Sequence, residues 1–482
     1  MSKMNIAVLF GSRTCEHDVS IVSALQLMEA AKAADFRVIP IYISRDGLWY
    51  TGDALMDIAT FRDFNPMAKG ITRVNLDVSA NAGDLWAWPP QRAGLFAKVP
   101  APIAHIDCAI PVFHGLHGED GTIQGLLELA NIPYASSGVL GSSVGMDKIA
   151  MKQLLRGAGY PVLDFEWFTR DQLKTQRGEI IARIEKKIKY PAFVKPAALG
   201  SSIGVSRANN REELEKAIDL AASYDRRILA EVGISRPVEI NCAALGYGED
   251  VTASVCEMPV PSDDGKFLDF FEKYLRNAGA KGGDSRGMKN LARVVPAPIG
   301  EELTGRIQQM TKEIFRLLDC RGTVRIDYIL DENDMLYVNE PNTIPGSLAF
   351  YLWKACGVSF AELVEKMVEG ALRAHADKSR NVYAFDSTIL QKVAAGTKGS
   401  KREKKDCRML PARQCRGYSD RRLSSPDPRR SAARLCACRR GRAPAPERCC
   451  TWSVGRPGHC TRRGGRGCPA RSARRFWGRP PA

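Results

Sequence analysis

The sequence predicts a mixed α/β and α+β protein of three lobes, the first a parallel α/β unit, followed by a disordered C-terminal tail. Three observations carry this. Short apolar runs alternate with helical patterns as far as residue 378. The 482 residues exceed one ordinary core at about 100–200 residues per domain. Composition then changes sharply near residue 398. The expected units are residues 1–140, 141–227 and 228–378, with the tail at 395–482.

Charge follows the same division. The formal net charge is +16, yet 25 of the 70 Lys and Arg and only 5 of the 54 Asp and Glu lie beyond residue 397. The body is therefore near neutral, which argues against a polyanionic partner for it. Eight of the fourteen cysteines also fall in the tail, and the six in the body are scattered singly, as reduced thiols would be. No apolar run approaches the roughly 20 residues that cross a bilayer. MSKMNIAVLFGSRT lacks the order of a secretory signal. A cytoplasmic protein with no membrane partner is the expectation.

Along the chain, Asn5 to Phe10 reads as a buried strand, with Asp18 or Ser20 capping a helix to about Ala34 and a second strand from Val38 to Ile43. Strand, helix, strand implies a parallel sheet, whose ligands sit beyond the carboxyl ends of the strands. A strand at Cys108 to Phe113, a loop and a helix at Thr122 to Ala130 complete the first lobe. The second has a helix at Asp147 to Arg156, the strand AFVKP, a small-residue loop and a helix from Arg211 to Ser223. The third begins with ILAE and continues through VEINCAAL, VTASVCEM, GTVRIDYIL and MLYVNE to the helix SFAELVEKMVEGALRAHA. Residues 277–290, rich in Gly and charge, are too long for a hairpin turn and suggest a lid.

The hairpin GTVRIDYIL–DEND–MLYVNEPN is the most informative element. Strand alternation puts Arg325 with Asp327, and Glu340 with Asn342, on single faces. In the obvious register Asp327, Glu340 and Asn342 converge as hard oxygen ligands, suited to magnesium held jointly with nucleotide phosphates. A solvated hairpin is the alternative, disfavoured because acidic side chains within apolar strands are costly unless paired. ALGSSIGV, after the strand bearing Lys195, offers small residues and the Ser201 and Ser202 hydroxyls to phosphates. It matches neither common Gly-rich fingerprint and alone would be a plain turn. HGLHGEDG places His114 to Gly121 between a strand and a helix, where ligands are received. His114 is a candidate to bind a carboxylate or steer a proton, while His117, Glu119 and Asp120 read equally as loop polars, Asp120 capping the helix.

The segments GSRTCEHDVS, PVFHGLHGEDGTIQGLLELANIPYASSG, GMDK, FVKPAALGSSIGVS, FEKY, VRIDYIL and NEPNTIPGS occur in the order and approximate spacing of D-alanine–D-alanine ligases. Over about residues 4 to 376 the chain therefore resembles that family, a divergent branch of the three-lobed ATP-grasp class. The resemblance implies a cytoplasmic enzyme that joins two D-alanines through an acyl phosphate for peptidoglycan precursor synthesis, with ATP and two Mg2+ or Mn2+ ions. It implies Lys148 and Lys195 at the phosphates, Ser201 and Ser202 in the phosphate loop, Glu231 on the adenine side and Glu239 at the ribose. Lys273 would lie near the transferred phosphate, and Asp327, Glu340 and Asn342 would hold the metal. Glu16 would anchor the first substrate's ammonium, with His114 beside it. Arg325 and the Gly346 amide would form the oxyanion site. Tyr274, Ser201 and Glu16 would close the lid.

Two departures bear on the second substrate. Tyr351 stands where the family carries a serine for its carboxylate, and the stretch after FEKY, Tyr274 to Arg293, is long and basic. D-Ala–D-Ser, D-Ala–D-lactate and other carboxylate–amine ligations are therefore alternatives, and a homodimer is left open. From Lys398 onward, Arg, Pro, Gly and Cys without apolar periodicity cannot offset ordering entropy. Wrong-frame translation of GC-rich DNA is the preferred reading, over an arginine-rich nucleic-acid tail. A zinc module is disfavoured because Cys436-x-Cys438 and Cys449–Cys450 lack C-x-x-C spacing. A nucleic-acid binder and a catalytically dead scaffold are the rival classes. The neutral body counts against the first and the full set of lysines and carboxylates against the second.

Overall fold

A computed structural model describes residues 3–90, 100–260, 293–384 and 387–397. Lys273, Tyr274, the 277–290 segment and the tail from residue 398 lie outside the described residues. Residues 1–387 form one unit, and residues 388–482 are a second, of which one helix, Ile389–Thr397, is described.

Strand β1 (Asn5–Gly11) leads through helix α1 (His17–Ala33) to β2 (Arg37–Ile43), and β1 lies parallel to β2 and to β7 (Cys108–Pro111). As expected of a parallel strand, β1 is buried on both faces: Ile6, Val8 and Phe10 enter one core, Ala7 and Leu9 another. The sheet is not parallel throughout. Strands β3 (Trp49–Thr51), β4 (Thr72–Leu76), β5 (Asp84–Ala87) and β6 (Ala104–His105) extend it antiparallel beyond β2, in the order β6-β5-β4-β3-β2-β1-β7. Residues 44–48 form a connection long enough for a hairpin and too short for a parallel crossover. The expected caps of α1 also differ. Glu16 occupies the cap position without a side-chain cap bond, and Asp18 lies in the first turn. The Ser20 hydroxyl, one turn in, donates to the Val112 carbonyl and accepts from the Gly11 amide, tying β1 to the chain leaving β7.

After α2 (Thr122–Ala130) and α3 (Val139–Met146), α4 (Lys148–Gly157) starts at Asp147, whose carboxylate accepts from the Ile149 and Ala150 amides. The middle sheet comprises β8 (Phe165–Thr169), β9 (Ala192–Pro196), β10 (Ser206–Ala208) and β11 (Arg227–Val232), covered by α5 (Arg170–Lys187) and α6 (Arg211–Tyr224). Here β11, the ILAE strand assigned from sequence to the third lobe, lies between β9 and β8. Turn-like residues after Val232, rather than before Ile228, separate the two sheets.

The third sheet, β14-β13-β12-β15-β16, contains β12 (Val238–Tyr247), β13 (Asp250–Pro259), β14 (Arg293–Val294), β15 (Arg321–Leu330) and β16 (Leu336–Asn342). Helix α7 (Glu301–Leu317) precedes β15, and α8 (Phe350–Ala355) and α9 (Phe360–Lys378) end the unit. Met151 and Leu155 of α4 join Ile314, Phe315 and Tyr328 in the core of this sheet, whereas Ile149 packs with Phe165, Ala197 and Leu229 of the middle one. Helix α4 thus bridges two lobes. Trp353, Val364 and Met367 share a core with Ile21, Leu25 and Met28 of α1, so the first and third lobes share an interior. Among the described residues no single helix is long and apolar enough to cross a membrane.

Candidate functional site

The β15–β16 hairpin builds one wall. From the turn, Leu330 opposes Leu336 and Tyr328 opposes Val338, a register that would set Asp327 against Asn339. A bulge between Asp327 and Tyr328 shifts it, so Asp327 opposes Glu340 and Arg325 opposes Asn342. Because a one-residue shift exchanges the faces of a strand, this bulge is what turns Glu340 and Asn342 toward Arg325 and Asp327. Arg325 donates from Nε (2.6 Å) and Nη2 (2.8 Å) to the two Asp327 oxygens, and Asn342 Nδ2 donates to Oδ2 at 2.9 Å. Burial pushes the Asp327 carboxyl up, Arg325 opposes that, and Glu340 and Glu257 add to the rise.

Lys148 and Lys152 occupy one face of α4, four residues apart. Lys148 Nζ reaches Glu340 Oε2 at 3.0 Å and donates to the Leu199 carbonyl at 2.7 Å. Lys195 on β9 and Glu231 on β11 share a sheet face and pair, while Lys152 Nζ lies 3.0 Å from the other Glu231 oxygen. Glu231 is held well below the carboxylate range, at about 2, because the two lysines outweigh its burial. Glu239 on β12 and Glu340 both lie near enough to support the Lys195 charge.

Opposite stands Glu16, which accepts a hydrogen bond from Ser201. Ser201 and Ser202 adopt left-handed φ of 50° and 60°, and a Cβ at Gly200 would lie 3.0 Å from both Glu16 carboxylate oxygens. Glycine there permits the 198–205 loop to approach Glu16 of the first lobe. Glu119 accepts from the Gly115 amide (3.0 Å) and the Ile344 amide (3.0 Å), stapling the 114–121 loop to the turn before Gly346. Burial, with Glu16 and Glu340 nearby, pushes its carboxyl up to about 8. Burial likewise pulls His114 down to about 4. His114 is therefore neutral near pH 7, and its ring bonds to the Ile344 backbone. Its Nε2 meets Ser23 Oγ at 2.9 Å, and that oxygen accepts from the Ser347 amide. The cap position of α2 is Gly121, without a side-chain cap bond, rather than the expected Asp120, which precedes it and accepts from the His117 and Thr122 amides.

Gly346 begins a buried turn in which Ser347, Leu348 and Ala349 all have φ near 50°. Three consecutive left-handed side-chain-bearing residues are strained, a condition that packing elsewhere must sustain. Tyr351 follows. Its hydroxyl donates to Glu257 Oε1 at 2.6 Å, Arg293 Nη1 lies 3.2 Å from Glu257 Oε2, and the Arg293 guanidinium stacks 3.8 Å from the Tyr351 ring centre. The Tyr351 hydroxyl is thus engaged by Glu257.

The structure brings Glu16, His114, Lys148, Lys195, Ser201, Ser202, Glu231, Glu239, Arg325, Asp327, Glu340, Asn342, Gly346 and Tyr351 into one connected region. Sequence reasoning missed Lys152, Glu257 and the stapling function of Glu119. Only Lys152 had a local signal, its spacing from Lys148.

Magnesium can be tested on donor chemistry. Asp327 and Glu340 are hard carboxylates directly opposed across the hairpin, with the Asn342 amide on the same face. Burial is the main cause of the rise of Asp327, and Glu340 and Glu257 add a smaller part that a cation would relieve. The set fits a divalent ion, although among the described residues no group of three His, Cys, Asp or Glu has metal-holding geometry.

Comparison with known proteins gives consistent matches. The family model described as D-ala D-ala ligase N-terminus matches residues 5–137, and that of the C-terminus matches residues 154–369. The D-alanine–D-alanine ligase of Natranaerobius thermophilus is 39% identical, the match covering 80% of this chain and 100% of that protein. That of Thermosipho melanesiensis is 36% identical over 80% and 98%. Among solved structures, the D-alanine–D-alanine ligase from Coxiella burnetii aligns with a TM-score of 0.63 at 27% identity, covering 83% of this chain and all of that one. The VanG D-Ala:D-Ser ligase from Enterococcus faecalis aligns with a TM-score of 0.63 at 29% identity, covering 77% and 100%.

Proposed function

We propose a residue-level account of catalysis for a chain that belongs to the D-alanine–D-alanine ligase family. It is an ATP-dependent ligase that forms D-alanyl-D-alanine, with ATP and D-amino acids as its small-molecule substrates, for peptidoglycan synthesis. In our reading the nucleotide phosphates lie against Lys148 and Lys195 under the Ser201–Ser202 loop, with Glu231 toward the adenine and Glu239 toward the ribose. Glu16 takes the ammonium of the first D-alanine, and neutral His114 orients its carboxylate. A carboxylate oxygen attacks the γ-phosphorus, ADP departs and an acyl phosphate forms. The amine of the second D-alanine, once unprotonated, attacks the acyl carbon. The oxyanion of the tetrahedral intermediate is met by Arg325 and the Gly346 amide. Collapse expels inorganic phosphate, which carries away one oxygen of the first carboxylate.

No side chain is a nucleophile in this scheme, so positioning and charge neutralisation do the catalysis. Asp327, Glu340 and Asn342 would hold magnesium. The ion would neutralise phosphate charge as the γ-phosphoryl group transfers. Lys273 and Tyr274, beyond the described residues, are assigned to the transferred phosphate and to the lid. Tyr351 with Arg293 would shape the second amino acid's pocket. Three units, the first near residues 1–140, the middle one running through β11 to Val232 and the third following it to residue 378, with a cytoplasmic site of action and a homodimer, complete the proposal.

The observation that supports it most is Arg325, locked by two hydrogen bonds to Asp327 on the face that also carries Glu340 and Asn342. The test supplies purified protein with ATP, magnesium and D-alanine alone or paired with D-serine or D-lactate, then measures phosphate release. The largest release is expected with D-alanine alone. No release with any D-alanine-containing pair would reject the assignment.

A further inference from the structure

Lys152 has no task in the scheme above, yet it is among the most deeply buried charges in the molecule. Its side chain is 1% exposed, against 12% for Lys195 and 3% for Glu231. Its Nζ lies 3.0 Å from Glu231 Oε2, and the other Glu231 oxygen pairs with Lys195. Ile149, Phe165, Ala197 and Leu229 pack together beside them, closing this corner with apolar surface. Two ammonium groups thus share one carboxylate, and the trio carries one surplus positive charge. Glu340 and Glu239 offset part of that surplus from farther off, and Lys195, the member nearer to solvent, is the one placed to meet an anion.

We propose that Lys152 is a positioning residue for nucleotide binding: it keeps Glu231 neutralised so that Lys195 is released to the phosphates. The inference rests on the reading of Lys195 as a phosphate ligand. Were Lys152 absent, Lys195 would be the principal counter-ion of a buried carboxylate. Turning it toward a phosphate would then strip that carboxylate of its partner, a strongly unfavourable change. With Lys152 in place, the Glu231–Lys152 pair remains and Lys195 moves at little cost. Burial pulls the Lys152 ammonium down and Lys195 adds to that fall, while Glu231 in contact, and Glu340 from farther off, hold it up.

The experiment measures, by calorimetry on the full chain, the affinities for ATP and for adenosine, which shares base and ribose but has no phosphate. Lys152→Met should weaken ATP binding by about tenfold or more, as truncating one partner of a buried charge pair does, and leave adenosine binding within about twofold. In the Glu231→Gln background, where Lys195 is already free, the same substitution should leave the ATP-to-adenosine ratio unchanged. Lys152→Arg should preserve the ratio. An equal loss for both ligands, or a further fall in the ratio in the Glu231→Gln background, would overturn the proposal. The Glu231→Gln pair lacks the buried carboxylate, so this comparison survives even if Lys152→Met alone does not fold. Failure of the underlying reading is separately visible, because Lys195→Met would then leave ATP affinity unchanged.

Discussion

At one end of the site Lys152 and Lys195 share the single carboxylate Glu231. At the other, the Glu16, Asp327 and Glu340 carboxylates lie with Arg325, paired to Asp327, and Lys148, paired to Glu340. The two ends are joined through Glu340, which pairs with Lys148 and lies near enough to Lys195 to sustain its charge. The two surpluses, opposite in sign, partly compensate each other through Glu340. In the proposed reading phosphates would complete the first, and a metal ion with a substrate ammonium would complete the second. The contrast also separates roles that residue type alone would merge. Lys148 and Lys152 share a helix face, yet one serves the acidic end and the other the basic end.

The contrast can be attacked at the acidic end first. Arg325→Ala removes the charge that meets the oxyanion and should lower the rate of D-alanyl-D-alanine formation by about 10²–10³-fold or more. Circular dichroism should still report a folded chain, and full activity would remove the assignment. Asp327→Asn halves the opposed carboxylate pair, so the magnesium concentration for half-maximal activity should rise about 10–100-fold, comparable to losses seen when metal-site partners are changed. An unchanged magnesium dependence would place the ion elsewhere.

A smaller effect concerns stability. Burial raises Glu119 from 4.5 to about 8. The folded chain therefore retains a proton that the unfolded chain has lost, and stability falls as pH rises from about 4.5 through about 8. His114, lowered from 6.5 to about 4, acts in the opposite sense below pH 6.5, where stability falls as pH falls. Between pH 6.5 and 8 Glu119 dominates this pair. The wild-type Tm should decline there, by an amount equivalent to on the order of 1–2 kcal/mol, and Glu119→Gln should flatten the decline. An equal slope in both proteins would mean that the carboxylate is already ionised. Smallest of all, Tyr351→Ser should change the ratio of D-serine to D-alanine use as second substrate by about 10-fold or less, with little change in ATP KM. Equal ratios would exclude Tyr351 from selectivity.

What the sequence disclosed depended on range. Helix α2 and the Ser359-capped α9 were legible because their signals lie within a few residues. The lobe order followed from ordered motifs. The bulge that sets Glu340 against Asp327 was not legible, since both the shifted and the unshifted hairpin satisfy the same strand pattern. Placement of β11 in the middle sheet likewise depends on pairing with β8 and β9, far away in the chain. Lys152 was missed because its partner, Glu231, lies on β11, far away in the chain. Glu257 was hidden for a related reason: Asn241, Arg293 and Tyr351 meet it only after three elements have packed.

The most direct test is a crystal structure of the full chain with ADP and manganese, the metal located by its anomalous scattering. The account predicts the peak between Asp327, Glu340 and Asn342, with the ADP phosphates against Lys148 and Lys195 and the Lys195–Glu231 contact opened. A metal bound away from the β15–β16 hairpin, or phosphates remote from both lysines, would contradict it.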